Sequence, residues 1–388
     1  MKISKLVEQM PPSGIRAFFD LVIGMKDVIS LGVGEPDFVT PWNIIERAIY
    51  SLEEGYTSYT SNKGLAELRQ ELARHLKHRY ALDYDPEEEI LITVGVSEGF
   101  DLTLRALLNK GDKVLVPEPS YVSYGPLTGL ALGEPVYIKT KPENGFKITP
   151  KDIDGHCDKK TKAIVLNYPN NPTGTSYSRA EISKIARTVS KHGLIMISDE
   201  IYCELTYDFK HIPFPALPRM KERTVYLNGF SKAYAMTGWR IGYACGPREI
   251  IAAMTKVHQY TMMCVPIMSQ MAALEALKHG EKAVQEMKRE YRRRREYVIS
   301  RLNEIGLPCH RPEGAFYAFP SIKKTGLSSM EFANRLLKRE KVAVVPGTAF
   351  GPSGEGYIRI SYASSLDKLK EALSRIETFL TAIAVHSK

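Results

Sequence analysis

One lysine of the sequence has an unusual setting, within the segment NGFSKAYAMTGWRIGY (228–243). Small and aromatic residues surround Lys232, whereas most lysines have charged neighbours on a solvated helix face, and Arg240 follows it closely. A lysine shielded from water has a lowered pKa, and its neutral amine can attack a carbonyl carbon to form a Schiff base. The segment therefore predicts a nucleophilic lysine, with an arginine that can bind an anionic group of the same ligand.

Polar residues follow several apolar, strand-like runs elsewhere in the chain. Helix-like stretches separate most of these runs, which is typical of a mostly parallel sheet whose ligands bind beyond the carboxyl ends of the strands. The segments are GVSEG (95–99) after EILITV, YPNNPTG (168–174) after AIVLN, DEIY (199–202) after LIMIS, and GFSK (229–232) after TVYLN. Because these strand ends meet at one edge of a sheet, their side chains are predicted to share one site.

The functional groups of these segments match the needs of pyridoxal phosphate. Lys232 suits its aldehyde, and Asp199, a carboxylate at the end of a buried strand, needs a cationic partner such as a protonated ring nitrogen. The other groups suit the ring oxygen and the phosphate, namely Asn171 and Tyr202 for the oxygen, and Ser97, Ser231 and Arg240 for the phosphate. Taken singly, the Gly/Ser segment is weak evidence for phosphate and the Pro/Asn segment is typical of a turn, so the prediction depends on the combination.

The chain resembles the class I/II aminotransferases of the aspartate aminotransferase superfamily, which have fold type I and use pyridoxal phosphate. The matching segments follow the family's order over nearly the whole chain, and SKxxxxTGWRxG is the most specific of them. They are LGVGEPDF (31–38), YTSNKGLAELR (59–69), TVGVSEG (93–99), PSYVSY (119–124), NYPNNPTG (167–174), SDEIY (198–202), GFSKAYAMTGWRIGY (229–243), GAFYAFP (314–320), VPGTAFG (345–351) and GYIRISYA (356–363). The most similar subgroup comprises bacterial and archaeal enzymes described as aspartate, aromatic or N-acetyl-diaminopimelate aminotransferases.

The resemblance implies a cofactor role for each residue at a matching position. Lys232 resembles the Schiff-base lysine, which also moves the proton between the substrate Cα and the cofactor C4′, and Asp199 matches the partner of the pyridinium nitrogen. With Tyr202, these residues are the predicted catalytic set. The remaining cofactor contacts are Asn171 and Tyr202 to the ring oxygen, Tyr121 stacked on the ring, and Val96, Ser97, Ser231 and Arg240 at the phosphate.

The resemblance also implies substrate contacts and a second subunit. Arg359 resembles the arginine that binds the substrate α-carboxylate as a bidentate fork, and Gly34 falls where a backbone group lies beside the substrate. Tyr121 and Asn171 are predicted to contact the substrate as well. Tyr59 resembles the tyrosine that reaches the phosphate of the neighbouring subunit, which implies a homodimer. A surface arginine on an edge strand and a core tyrosine are the alternatives for Arg359 and Tyr121.

The sequence departs from the family pattern at two positions. Dicarboxylate-specific members carry an arginine for the side-chain carboxylate of the substrate where this chain has Val257, so strict aspartate specificity by that device is in doubt. Gly229 replaces a phosphate-binding hydroxyl, so other residues must supply that contact. Next to Val257, His258 is a candidate either for the substrate pocket or for a packed core position.

The predicted activity is a pyridoxal-phosphate-dependent aminotransferase that moves an α-amino group from an aromatic amino acid or aspartate to a 2-oxo acid such as 2-oxoglutarate. An N-acetyl-diaminopimelate aminotransferase and a C–S β-lyase on the same scaffold are the alternatives. A non-enzymatic interpretation is a basic binding protein that uses KREYRRRREY (288–297), in a chain of net charge +9. We interpret that run instead as the solvated face of a long helix with Glu290 and Arg294 paired, and we predict no nucleic-acid partner.

An α/β fold is predicted. Its large domain has a mostly parallel, seven-stranded type of sheet sandwiched by helices, and a smaller α+β domain is formed by the N- and C-terminal segments. The expected divisions are 1–45 as a segment packing on the small domain, 46–285 as the large cofactor-binding domain and 286–388 as the small domain. With 388 residues and 44% hydrophobic content, the chain can bury cores of this size.

The sequence also bears on location and on metals. The five cysteines are scattered without a CxxC pair, which suits reduced thiols and argues against a zinc site. The N-terminus lacks a secretory signal pattern, and no apolar run is long enough to span a membrane. These features predict a cytoplasmic protein with no metal and no membrane contact.

Overall fold

The computed structural model describes residues 3–8, 10, 12, 14–15 and 25–385, with side chains as far as residue 383. Most of the predicted N-terminal segment before residue 25 therefore lies outside the described residues. The helices are α1 (Lys5–Glu8), α2 (Trp42–Glu53), α3 (Ala66–Tyr80), α4 (Gly95–Leu107), α5 (Tyr124–Leu130), α6 (Pro150–His156), α7 (Arg179–Lys191), α8 (Arg248–Thr261), α9 (Ile267–His279), α10 (Glu281–Glu304), α11 (Ser329–Glu340) and α12 (Leu366–Val385). In this part of the chain, no helix has both the length and the apolar character needed to cross a membrane.

A seven-stranded sheet forms the centre of the fold, with the strand order β2-β8-β7-β6-β5-β3-β4. Only β8 runs against its neighbours β2 and β7, and the remaining pairs are parallel. The strands are β2 (Ile90–Thr93), β3 (Lys113–Glu118), β4 (Glu134–Lys139), β5 (Thr161–Asn167), β6 (Ile195–Asp199), β7 (Thr224–Gly229) and β8 (Gly242–Cys245). The predicted α/β class with a mostly parallel sheet is confirmed.

Apolar residues on both faces of this sheet explain why its strands read as continuous apolar runs. Along β2, Ile90 and Ile92 face a cluster that includes the buried side of α3 and α9. Leu91 points to the other face and packs in a cluster with α4 and α8. A strand covered on both faces has no solvated side, so alternation with polar residues is lost. The helices begin at local signals, as in α7, where Ser178 and Glu181 form a capping box.

A second, smaller assembly contains the antiparallel sheet β11-β12-β9, formed by Val345–Pro346, Ile358–Ser361 and Tyr317–Ala318. Beside it, β1 (Ile29–Ser30) pairs in parallel with β10 (Val342–Ala343). One hydrophobic cluster joins β1, β9, β10 and β12 to α10, α11 and α12. The strand β1, near the start of the described chain, therefore lies with the C-terminal part of the fold. The domain boundaries at 45 and 285 stay a prediction.

The basic run on α10 differs from its prediction in one respect. The helix and the Glu290–Arg294 pair are present, with 2.9 Å between Nε and Oε1. However, Arg294 is 5% exposed and Arg295 is fully buried, so the expectation of a solvated face is wrong for both. Asp37 and Asp208 each lie 2.7–2.8 Å from one of these guanidinium groups. Carboxylates distant in sequence thus neutralise arginines that the helix buries.

Candidate active site

A cavity of about 430 Å³ opens beyond the carboxyl ends of the central strands. Its volume is in the range of small-molecule sites. The predicted site residues that line it are Gly34, Val96, Ser97, Tyr121, Asn171, Asp199, Tyr202, Ser231, Lys232, Arg240 and Arg359. Tyr59 is the exception, since it lies outside the cavity and its residue surface is 82% exposed. The topology thus brings together residues from seven separate segments of the chain.

Lys232 follows β7 and reaches into this cavity. Its Nζ donates a hydrogen bond to the carbonyl oxygen of Gly34 at 2.6 Å and lies 6.0 Å from the ring centroid of Tyr202. Burial lowers the pKa of the ammonium from 10.5 to about 8, and the nearby charges of Arg359 and Arg240 act in the same direction. At pH 7 about a tenth of Lys232 is therefore a neutral amine, far more than for a solvated lysine, and this is the form that acts as a nucleophile or base.

Asp199 ends β6 at the floor of the cavity. The hydroxyl of Tyr124 donates to its Oδ2 at 2.6 Å, and the backbone N–H of Ile201 donates to its Oδ1 at 3.3 Å. Burial raises the pKa of this carboxyl from 3.8 to about 6, while these two hydrogen bonds oppose the shift. A buried carboxylate with no cationic contact among the described residues favours a ligand that brings a positive charge.

The neighbouring strand end is linked to Asp199 through the backbone. Asn167 ends β5, and its side-chain amide donates to the carbonyl oxygen of Asp199 at 2.9 Å. The side-chain oxygen of Asn167 accepts the backbone N–H of Asn171 at 2.9 Å. This arrangement holds Asn171 over the ends of β5 and β6. The side chain of Asn167 thus fixes the positions of Asp199 and Asn171, two predicted cofactor contacts, relative to each other.

Arg359 lies on β12 and enters the cavity from the small sheet. Its Nη1 donates to Asn171 Oδ1 at 2.8 Å and its Nη2 donates to the carbonyl oxygen of Gly32 at 2.5 Å. The guanidinium carbon lies 4.5 Å from the ring centroid of Tyr317 and 4.8 Å from that of Phe350.

The same arginine is only 2% exposed, and its Nε has no hydrogen-bond partner among the described residues. Burial lowers the pKa of the guanidinium because it keeps water from the charge. The hydrogen bonds of its two terminal nitrogens go to the neutral oxygens of Asn171 and Gly32. A buried, always protonated group of this kind can bind a carboxylate ligand. The alternative of a surface arginine on an edge strand is therefore wrong.

The amino end of α4 faces the other side of the cavity. Its first residues, Gly95 to Ser97, have no side-chain cap, so their backbone N–H groups are available to a ligand. Gly95 has a φ of +72°, and a Cβ there would approach Arg240 Nη2 to 2.8 Å. The backbone and the guanidinium thus form a cradle that a side chain would fill. Such a cradle can accept an anion.

Three residues of the site were not singled out by sequence reasoning. Tyr124 and Tyr317 lie within the family-like segments PSYVSY and GAFYAFP, but their hydrogen bonds could not be read from those segments. Tyr317 shares a hydrogen bond of 2.8 Å with the hydroxyl of Tyr202. Asn167 precedes the recognised YPNNPTG segment and carries no pattern of its own. For these three residues the sequence offered one signal, the position of Tyr124 three residues after Tyr121.

The open question about His258 is resolved in favour of a packed position. Its side chain is fully buried against Glu98, behind the amino end of α4, and it does not line the cavity. Val257 is partly buried in the same cluster as α4. Neither residue contributes a cationic group to the cavity of this chain.

The mostly parallel α/β sheet and the cavity at its strand ends, lined by Lys232, Asp199 and Arg359, are typical of an enzyme that acts on a small molecule. The family model described as aminotransferase class I and II matches residues 26–376. The chain therefore belongs to the class I and II aminotransferases, and it is an aminotransferase. Members of this family use pyridoxal phosphate.

Three similar proteins illustrate the relationship. A putative aminotransferase YugH of Bacillus subtilis is 56% identical over 97% of this chain and 98% of its own length. An aspartate aminotransferase of Pyrococcus abyssi is 47% identical over 98% of both chains. The crystal structure of an aromatic aminotransferase from Pyrococcus horikoshii superposes with a TM-score of 0.90 at 45% identity, covering 95% of this chain and 99% of its own. These names do not favour the C–S β-lyase alternative.

Proposed function

We propose that this chain binds pyridoxal phosphate in the cavity and transfers the α-amino group of an amino acid to a 2-oxo acid. When bound, this cofactor supplies an electron sink for the substrate Cα and carries the amino group between the two half-reactions. The proposal is carried by the convergence of Lys232, Asp199 and Arg359 on one cavity. The cradle formed by Gly95 and Arg240 fits the phosphate, and the carboxylate of Asp199 fits the protonated ring nitrogen.

Lys232 would form the covalent link to the cofactor and move the proton between the substrate Cα and C4′. Its depressed pKa and its position beside Gly34 support this role, because a neutral amine is needed both to attack and to accept a proton. Tyr202 and Asn171 would hold the ring oxygen, and Tyr121 would stack on the ring. The contact of Tyr121 with Tyr124, at 5.6 Å between centroids, supports a fixed orientation of that ring.

The substrate α-carboxylate would bind Arg359 as a bidentate fork. Before substrate arrives, the carbonyl oxygen of Gly32 and the amide oxygen of Asn171 accept hydrogen bonds from this guanidinium. A carboxylate would bring the negative charge that these neutral acceptors lack. Gly34 would allow close approach, since a Cβ there would lie 2.6 Å from the hydroxyl of Tyr317.

We propose an aromatic amino acid as the preferred donor, with aspartate as the second. The basic residues among the described lining are Lys232, Arg240 and Arg359, and each already has a proposed role. No described cation therefore remains for a side-chain carboxylate within one chain. Apolar lining by Ile15 and Val122 favours an aromatic side chain instead.

The functional unit is proposed to be a cytoplasmic homodimer. Tyr59 lies outside the cavity of its own chain and is exposed, which supports a role at a neighbouring subunit. Trp42 and Tyr260 are 66% and 93% exposed, and large apolar residues at the surface are typical of a protein interface. A partner copy would cover them and bring its own Tyr59 to the phosphate.

The test is an absorbance titration of the purified protein with single amino acids in the absence of any 2-oxo acid. A yellow form that bleaches stoichiometrically with phenylalanine, tyrosine or aspartate, with release of the matching 2-oxo acid, is expected. Including N-acetyl-diaminopimelate tests the narrower alternative. Pyruvate release from cystathionine without bleaching would indicate a lyase, and failure to acquire the chromophore after addition of pyridoxal phosphate would refute the proposal.

A further inference from the structure

Glu98 and His258 form a buried pair directly behind the amino end of α4. The distance between Glu98 Oε1 and His258 Nδ1 is 2.7 Å, and their side chains are 10% and 0% exposed. The histidine Nε2 has no hydrogen-bond partner among the described residues. Because neither residue lines the cavity, the pair has no direct contact role in the proposed reaction.

The carboxylate of Glu98 also binds the backbone at the start of the helix. Its second oxygen accepts the N–H of Val94 at 2.5 Å, one residue before the left-handed Gly95. The hydroxyl of Thr93 donates to the carbonyl oxygen of Gly95 at 2.9 Å. The turn between β2 and α4 is thus held by side chains on both sides, and this turn orients the N–H groups of the cradle.

A carboxylate in the first turns of an anion-binding helix would repel a bound phosphate if it turned toward the ligand. The hydrogen bond to His258 holds the carboxylate toward α8, away from the cavity. Removing the histidine would leave a nearly buried carboxylate with one donor instead of two. Such a carboxylate gains by moving toward a new donor or by taking up a proton, and either change weakens its hold on the turn.

We propose that Glu98 and His258 are positioning residues that hold the amino end of α4 in the conformation that receives the cofactor phosphate. This inference rests on the proposed function, because it takes the cradle to be the phosphate site. It predicts that disrupting the pair weakens the binding of ligands that carry a phosphate and changes little the binding of the part of the cofactor without the phosphate. It also predicts that the variant H258N preserves the arrangement, because the amide nitrogen of its side chain can take the place of Nδ1 as the donor to Glu98.

The experiment compares the apoprotein of the wild type with the variants H258F, H258N and E98A. Dissociation constants are measured for pyridoxal phosphate, for pyridoxal and for inorganic phosphate, with circular dichroism and thermal unfolding as checks of the fold. For H258F and E98A, the constant for pyridoxal phosphate and that for inorganic phosphate should rise about tenfold or more, since a hydrogen bond to a charged group is lost. The constant for pyridoxal should change less than about threefold, and H258N should resemble the wild type.

The control is H192F, because His192, just after α7, and Asp154 on α6 form another histidine–carboxylate pair, 2.6 Å apart but more exposed. This variant should leave all three constants unchanged. The inference is overturned if H258F and E98A bind pyridoxal phosphate as the wild type does, if their binding of pyridoxal weakens to the same degree, or if H258N binds pyridoxal phosphate as weakly as H258F. If H258F does not fold, E98A and H258N decide. A wild-type protein that takes up no pyridoxal phosphate would instead overturn the proposed function.

Discussion

Arg359 offers the sharpest test of how the site selects its substrate. The guanidinium is buried, stacks on Tyr317 and donates to two neutral oxygens, of Gly32 and Asn171. In R359K, an ammonium on a shorter stem loses the planar fork and the stacking but keeps the charge. In R359M, the charge is removed and both oxygens lose their donor. The two variants therefore separate geometry from charge.

The expected losses follow from these contacts. Loss of the second charged hydrogen bond in R359K should weaken binding of a carboxylate by about 2–3 kcal/mol, or about 30–150-fold in the dissociation constant. Removal of the charge in R359M should weaken it by at least about 3 kcal/mol, or more than about 100-fold. The stability of the apoprotein should change by less than about 2 kcal/mol, because relief of an unpaired buried charge offsets the lost donors.

The assay is a spectral titration of the cofactor-loaded variants with 3-phenylpropionate and maleate, which carry carboxylates but no amine. The rate of the half-reaction with phenylalanine is also compared with the rate with 2-phenylethylamine, which lacks the carboxylate. The ratio of the two rates should fall sharply in R359M. The matched control is R295K, because Arg295 is equally buried but is already paired with Asp208 at 2.7 and 3.0 Å. If R359M retains carboxylate affinity within about threefold, the role given to Arg359 is refuted.

The other predictions concern the remaining ionisable groups and the partner subunit. Because the pKa of Asp199 rises from 3.8 in the unfolded chain to about 6, the folded apoprotein binds the extra proton between these values and loses stability as pH rises through them. The variant D199N should therefore stabilise the apoprotein at pH 7.5 by up to about 3 kcal/mol, with no gain at pH 3.5 and with loss of cofactor binding; urea unfolding at both pH values measures this. An amine-specific label should modify Lys232 of the apoprotein with a midpoint near pH 8, below that of the surface lysines, and added pyridoxal phosphate should block the labelling. The labelled sites are identified by peptide mass spectrometry, and the absence of label on Lys232 at pH 8 would contradict this prediction. Mixing the inactive K232A subunit with a Y59F subunit should produce a heterodimer with one wild-type site, seen as tighter cofactor binding than Y59F alone; no change on mixing would argue against Tyr59 acting across the dimer.

Much of the fold and most of the proposed site could be predicted from the sequence, because the relevant signals are local. Short apolar runs between helical stretches define a covered parallel sheet, and in such a sheet the strand ends converge at one edge. Asp199 ends such a run, and Lys232 and Asn171 lie within four residues of the end of another, so their meeting in one cavity follows from the order of the elements.

The hydrogen-bond partners in the site could not be predicted in this way. Tyr124 and Asp199 are 75 residues apart, Tyr202 and Tyr317 are 115 apart, and Arg359 reaches a carbonyl 327 residues away. Contacts of this kind depend on how elements far apart in the sequence pack together, and no spacing in the sequence encodes that packing.

The sequence by itself determined which chemical groups stand at the strand ends, and therefore the class of reaction that they can support. Only the tertiary structure decided which of those groups are buried, paired or left without a counter-charge. Arg295 and Arg359 illustrate the difference, since both are fully enclosed, yet one has a carboxylate partner and the other has none among the described residues. Burial removes water from both guanidinium groups. A carboxylate from a distant segment therefore decides whether a buried arginine is paired within the fold or is available to bind an anionic ligand.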